Sequence, residues 1–121
     1  MNTTHRLKRP PTSTPRRYAT ESNASANETI VVAHYFLPGS GCDWYVLEYE
    51  PDDDEIFCWT ELLPGCGELG YSSLREMEEL VIYARLINGE QTLKFPCRVE
   101  LDEYWTPRPL GKILAERAKT K

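Results

Sequence analysis

With 121 residues, 40% of them hydrophobic and 11% aromatic, the chain is long enough for one domain with its own core and too apolar to be disordered throughout. No apolar run reaches the roughly 18 residues that a membrane-spanning helix needs, so no membrane association is expected. The net charge of −5 hides a partition: residues 1–17 hold five cations and no acid, residues 18–111 five cations against eighteen acids, and the last ten residues four cations against Glu116.

The basic start carries Arg6, Lys8, Arg9, Arg16 and Arg17, punctuated by Pro10, Pro11 and Pro15. So little apolar surface predicts a disordered tail over residues 1–17. Its five cations are candidate phosphate contacts, and they make the tail a candidate nucleic-acid binder. The stretch has no apolar signal core, and its prolines oppose the amphipathic helix of an organelle-targeting peptide. A cytoplasmic location with reduced cysteines follows as the expectation.

Residues 29–37 are dense in β-branched and aromatic side chains and predict a buried strand. A Pro38-Gly39-Ser40-Gly41 turn then leads to a second strand over 43–50, paired with the first as a hairpin. Strict alternation there sends Trp44, Val46 and Glu48 one way and Tyr45, Leu47 and Tyr49 the other. Asp52, Asp53, Asp54 and Glu55, just after Glu50 and Pro51, form the densest acidic run and read as a solvated hairpin end. They are also candidates for a partner surface. A third strand is expected over 56–63, ended by Pro64-Gly65-Cys66-Gly67.

The stretch Glu68-Leu69-Gly70-Tyr71-Ser72-Ser73-Leu74-Arg75-Glu76-Met77-Glu78-Glu79-Leu80 reads as a turn feeding the main helix. Ser73 and Glu76 have capping-box spacing, and Leu74, Met77 and Leu80 share one face for the sheet. Beyond Leu80 the pattern divides. Ala84 and Ile87 extend the stripe and favour a helix running towards residue 86, whereas Val81-Ile82-Tyr83 and the Asn88-Gly89 pair suit a hairpin of 81–87 with 90–95. The helix is the preferred expectation. A late strand over 98–105 should end at Pro107 and Pro109, followed by a short amphipathic helix over 110–118 with basic residues at its end. The fold class expected is α+β: one small antiparallel sheet over 18–111 against one main capped helix, with 112–121 a short basic helix or tail.

Chemical motifs are sparse. Cys42, Cys58, Cys66 and Cys97 show no close-spaced pair of the zinc-site kind, and the acidic run lacks the spacing of a calcium loop. His34 sits in an apolar strand, and no phosphate-binding glycine motif is present. No catalytic residue, cofactor or metal is implied, which leaves an enzyme or zinc protein as the weakest reading. Tyr104 and Trp105, beside Pro107 and Arg108, offer a rigid aromatic surface for a partner, although strand alternation should bury one of the pair.

Four segments carry a resemblance: Tyr18-Ala19-Thr20-Glu21, Trp44-Tyr45-Val46-Leu47-Glu48-Tyr49, Glu68-Leu69-Gly70-Tyr71-Ser72-Ser73-Leu74, and residues 99–110 around Tyr104-Trp105-Thr106-Pro107-Arg108. In this order they resemble a family of small bacterial proteins of unknown function, often carried on plasmids, phages and integrative elements. Residues 83–96 depart from that pattern as an insertion. The resemblance implies a small α+β domain with an accessory role, and no catalytic residues. With the acidic body, it sets the expectation of a mobile-element interaction protein, anti-restriction or anti-defence in one version, whose partner presents a basic surface.

Overall fold

The computed structural model describes residues 6–23, 25–63 and 65–119. Residues 1–5 of the expected tail, Pro64 of the expected break and Lys121 at the basic end lie outside that set. Among the described residues, nine strands and two α-helices follow a 3₁₀ turn at Ala26–Glu28: β1 (Ile30–Val31), β2 (Ala33–Leu37), β3 (Cys42–Glu50), β4 (Glu55–Leu63), β5 (Cys66–Ser73), α1 (Leu74–Glu79), β6 (Val81–Asn88), β7 (Gln91–Arg98), β8 (Glu100–Leu101), β9 (Arg108–Pro109) and α2 (Leu110–Lys119). The expected α+β class holds, as a single small domain.

The centre is a five-stranded antiparallel sheet in the order β5-β4-β3-β2-β8. Its first face buries Ala33, Tyr35, Leu37, Trp44, Val46, Ile56 and Cys58 under Leu7, Leu74, Met77 and Val99. Its second face buries Tyr45 and Leu47 with Val31 of β1 and with Leu110 and Ile113 of α2. Short β1 pairs with β9, which fixes the start of α2 beside the strand it covers. The predicted C-terminal helix is therefore present, and it is the longer of the two.

Several expectations change. The single strand expected over 29–37 is interrupted at Val32, whose two sides pair with different partners. The predicted hairpin of β2 with β3 is present, with Leu37 opposite Cys42. In β3 a bulge at Leu47 sets two residues against one partner, since Val46 faces Cys58 while Glu48 faces Phe57. The alternation flips there: Tyr49 packs with the first-face core that holds Trp44 and Val46, whereas Glu48 lines a groove beside Leu47.

The stretch before the capped helix is not a turn. It is strand β5, with Gly70 opposite Cys58 in the ladder of β4. The cap itself is as expected, Ser73 Oγ accepting from the Glu76 N–H at 3.2 Å. The helix then lasts six residues, and Leu80, its C-cap, is 43% exposed rather than buried. Val81–Asn88 and Gln91–Arg98 form a separate two-stranded hairpin, so the helical continuation is overturned in favour of the Asn88-Gly89 turn signal. Asn88 pairs with Gln91, and Gly89 takes a φ of +64°, which glycine adopts without strain. The late strand expected over 98–105 shrinks to Glu100–Leu101, because residues 103 and 104 turn.

Candidate interaction site

The acidic run and the basic tail, two separate candidates in the sequence, meet. Residues 6–17 have no helix or strand, but they lie against the body instead of forming a disordered tail. Leu7 is buried in the first-face core, Tyr35 Oη donates to the Lys8 carbonyl at 2.6 Å, and the Tyr49 N–H donates to the Pro15 carbonyl at 2.8 Å.

Arg9 donates from Nε and Nη2 to the two Asp54 carboxylate oxygens at 2.8 and 2.6 Å, and from Nη1 to Glu78 at 2.8 Å. The Arg9 bond and the Leu7 N–H hold the Glu78 carboxyl below its ordinary value. Arg16 pairs with Glu50 and Asp52, Arg17 with Asp53 and Glu55, and Lys8 with Glu103. Arg6 is exposed. Asp52, Asp53, Asp54 and Glu55 therefore face the chain's own arginines, and four of the five candidate phosphate contacts are matched by carboxylates.

Tyr104 and Trp105 separate, one outward and one inward, although the chain turns here and is not a strand. Tyr104 is 94% exposed, while Trp105 is partly buried and donates from Nε1 to the Val31 carbonyl at 2.9 Å. Arg108 lies 4.2 Å from the centre of the Trp105 ring and pairs with Glu116. Nearby, His34 stacks on Tyr45 at 4.9 Å, with Asp43 2.7 Å from Nε2 and Asp102 3.1 Å from Nδ1. A neutral imidazole has one N–H and donates to one of these carboxylates at a time. Arg117 completes the group, 3.0 Å from Asp43, 2.8 Å from Tyr45 Oη and 2.7 Å from Glu61 Oε2. Burial pushes the Tyr45 hydroxyl up to about 12, which keeps it a neutral hydrogen-bonding group. These contacts tie α2 and the 102–105 loop to the sheet.

Glu48 is buried by the Tyr18–Thr20 turn, whose two backbone N–H groups donate to it at 2.9 Å each, with the Thr20 hydroxyl as a third donor. Three of the resembling segments thus meet at one groove of about 210 Å³, which Thr20, Glu48 and Tyr71 help to line. Cys58 is buried, its thiol pushed up by burial, and bonds to Thr60 and Ser72. All four cysteines are free thiols.

The most exposed apolar surface was missed. In the hairpin of β6 and β7, Tyr83, Leu86, Ile87, Leu93 and Phe95 are 63%, 55%, 72%, 53% and 47% exposed. Directly paired residues share a face in an antiparallel ribbon, so Ile82–Cys97, Ala84–Phe95 and Leu86–Leu93 form one apolar stripe. Ile82 and Cys97 pack on the first-face core, and the stripe leaves the body from there. The signal lay in the alternation of Leu93, Phe95 and Cys97 after Asn88-Gly89, since residues 81–87 are apolar at every position but Arg85.

Fold and site together define a small α+β domain with a bound N-terminal arm and an amphipathic ribbon. The family model described as "Protein of unknown function (DUF2958)" matches residues 13–113, and the chain belongs to that family. Comparison with curated proteins and with solved structures gives no match.

Proposed function

We propose that the chain is an accessory protein that acts by holding another protein, with the apolar face of the β6–β7 hairpin as the contact. The observation that carries this reading is the exposed stripe of Leu86, Leu93 and Phe95 on a two-stranded ribbon. A lone two-stranded ribbon is at best marginally stable in water, and aromatic and leucine side chains in such a stripe gain from being covered. Covering the exposed half of Leu86, Leu93 and Phe95 is worth roughly 1 kcal/mol each.

Charge suggests the partner's character. The hairpin residues 81–98 carry three cations and one acid, which leaves the rest of the chain at −7. A body of that sign steers a basic protein towards it, while the stripe supplies affinity. The mobile-element setting implied by the resemblance, with anti-restriction as one version, fits an accessory of this kind. The Asp52–Asp54 acids support it less than the sequence suggested, because Arg9, Arg16 and Arg17 of the same chain lie on them.

Affinity capture from bacterial lysate at low salt, with wild type and Leu93→Asp in parallel, tests the reading. The wild type should retain a basic protein that the folded variant loses. Equal recovery by both would sink the proposal. So would a self-associated species in sedimentation that Leu93→Asp disperses, since a second copy would then own the face.

A further inference from the structure

The other face of the same hairpin is chemically different. The register places Val81 with Arg98, Tyr83 with Pro96, Arg85 with Lys94, and Ile87 with Thr92, all opposite the apolar stripe. Along it stand Arg98, then Tyr83, then Arg85 and Lys94 side by side, at about 7 Å per step of two residues. Tyr83, Arg85 and Lys94 line one shallow depression.

Folding does not account for this arrangement. Like charges directly opposite each other on a ribbon are destabilising, and Arg85 and Lys94 are such a pair. Elsewhere among the described residues Lys8, Arg9, Arg16, Arg17, Arg108 and Arg117 each face a carboxylate, whereas Arg6, Arg75, Lys112 and Lys119 stand apart from one another along the chain and form no such pair. Among the described residues, no carboxylate lies within ion-pair distance of Arg85, Lys94 or Arg98.

We infer that this face binds a single-stranded nucleic acid, with Arg85, Lys94 and Arg98 on backbone phosphates and Tyr83 as a stacking platform for a base. Cations alone would suit any polyanion. An exposed aromatic ring set in line between them is the chemistry of single-strand recognition, where stacking adds to phosphate contacts. The site uses none of the apolar stripe, so it stands whether or not a protein occupies the opposite face.

The test is fluorescence anisotropy of the full chain with labelled oligo(dT) and oligo(rU) of about 20 nucleotides at low salt, long enough for one such site. The logarithm of affinity should fall with the logarithm of salt at a slope near −2, because three phosphate contacts contribute about −0.7 each. Lys94→Glu should weaken binding at least about tenfold yet melt no lower than wild type, since it turns a repulsive cross-strand pair into an attractive one. Tyr83→Ala should weaken binding roughly tenfold with the salt slope unchanged. Lys112→Glu, the same charge change on α2, should leave affinity within about twofold. If Lys94→Glu does not fold, Lys94→Gln gives the same readout without a new acid. No oligonucleotide binding at low salt would overturn the inference, as would equal losses from Lys94→Glu and Lys112→Glu. Binding to phosphatidylserine vesicles but not to oligonucleotides would overturn it too.

Discussion

Arg9→Met removes the charge that joins three parts of the molecule and keeps most of the side chain's apolar stem. Arg9 contacts Asp54 in the β3–β4 turn, Glu78 in α1 and the Leu7 carbonyl of its own arm. Asp54 sits in the left-handed region at φ +54°, accepts from Tyr49 Oη at 2.9 Å, and offers its carbonyl to the Leu74 N–H at the start of α1. The three charged side chains are 33%, 26% and 15% exposed, between a surface pair and a buried one. Exposed pairs contribute about 0–1 kcal/mol, and removing one partner of a buried pair costs about 3–5. The expected loss is therefore about 2 kcal/mol at neutral pH. Because Glu78 is held below its ordinary value of 4.5, its contribution is present above that pH and is lost as pH falls through the lowered folded value. Urea unfolding of both proteins from about pH 7 downwards should show the gap between them narrowing with acid. A gap under about 0.5 kcal/mol at neutral pH, or one that does not change with pH, would refute the role of Arg9 as a clamp.

Urea unfolding also separates the capped helix into its parts. Ser73→Ala should cost about 1 kcal/mol. Met77→Ala, at a buried position, should cost about 2–5 kcal/mol, whereas Leu80→Ala at the exposed C-cap should cost under about 1. Gly67→Ala should destabilise by about 1–3 kcal/mol, because the new Cβ would lie 2.3 Å from Trp59 Nε1 and 2.7 Å from Glu61 Cγ; unchanged stability would mean that the Trp59 ring moves freely. Under native conditions a thiol reagent should modify exposed Cys66 quickly and buried Cys58 only on unfolding, read by mass spectrometry of labelled peptides.

What could be read in advance was local. The Ser73 cap, the β2–β3 hairpin and the C-terminal helix each depend on neighbours within a few residues, and each was legible. The errors came where two local signals competed or where a distant segment decided. Leu80 fits a helical stripe, but α1 ends before it, because Val81-Ile82-Tyr83 pairs with Pro96-Cys97-Arg98 seventeen to thirteen positions along the chain. The bulge at Leu47 depends on the partner strand, so no pattern within 43–50 could show that Tyr49 would change face. The tail looked disordered because residues 1–17 cannot make a core alone. Burial of Leu7 and carboxylates more than thirty residues away hold residues 6–17, and a composition count does not register either.

The segment around Tyr104 shows how much of a specific motif can be occupied by structural tasks. Val99 and Leu110 at its ends are fully buried, each in a different core. Between them Asp102 reaches His34, Trp105 bonds to Val31, Arg108 covers the Trp105 ring and Pro109 pairs with Ile30. Within that stretch the chain passes from one face of the sheet to the other and starts α2, so its prolines, aromatic ring and acid each have a structural task. Tyr104, at the turn and almost fully exposed, is the side chain those tasks leave over. The hairpin of β6 and β7 is the reverse case. Its composition is ordinary, yet one face leaves Leu86, Leu93 and Phe95 about half exposed, and among the described residues the cations of the other meet no carboxylate. A fold explains the residues it buries or pairs, and function is best sought in those it does neither with. By that criterion the ribbon, more than the acidic loop, is the surface to test first for a partner.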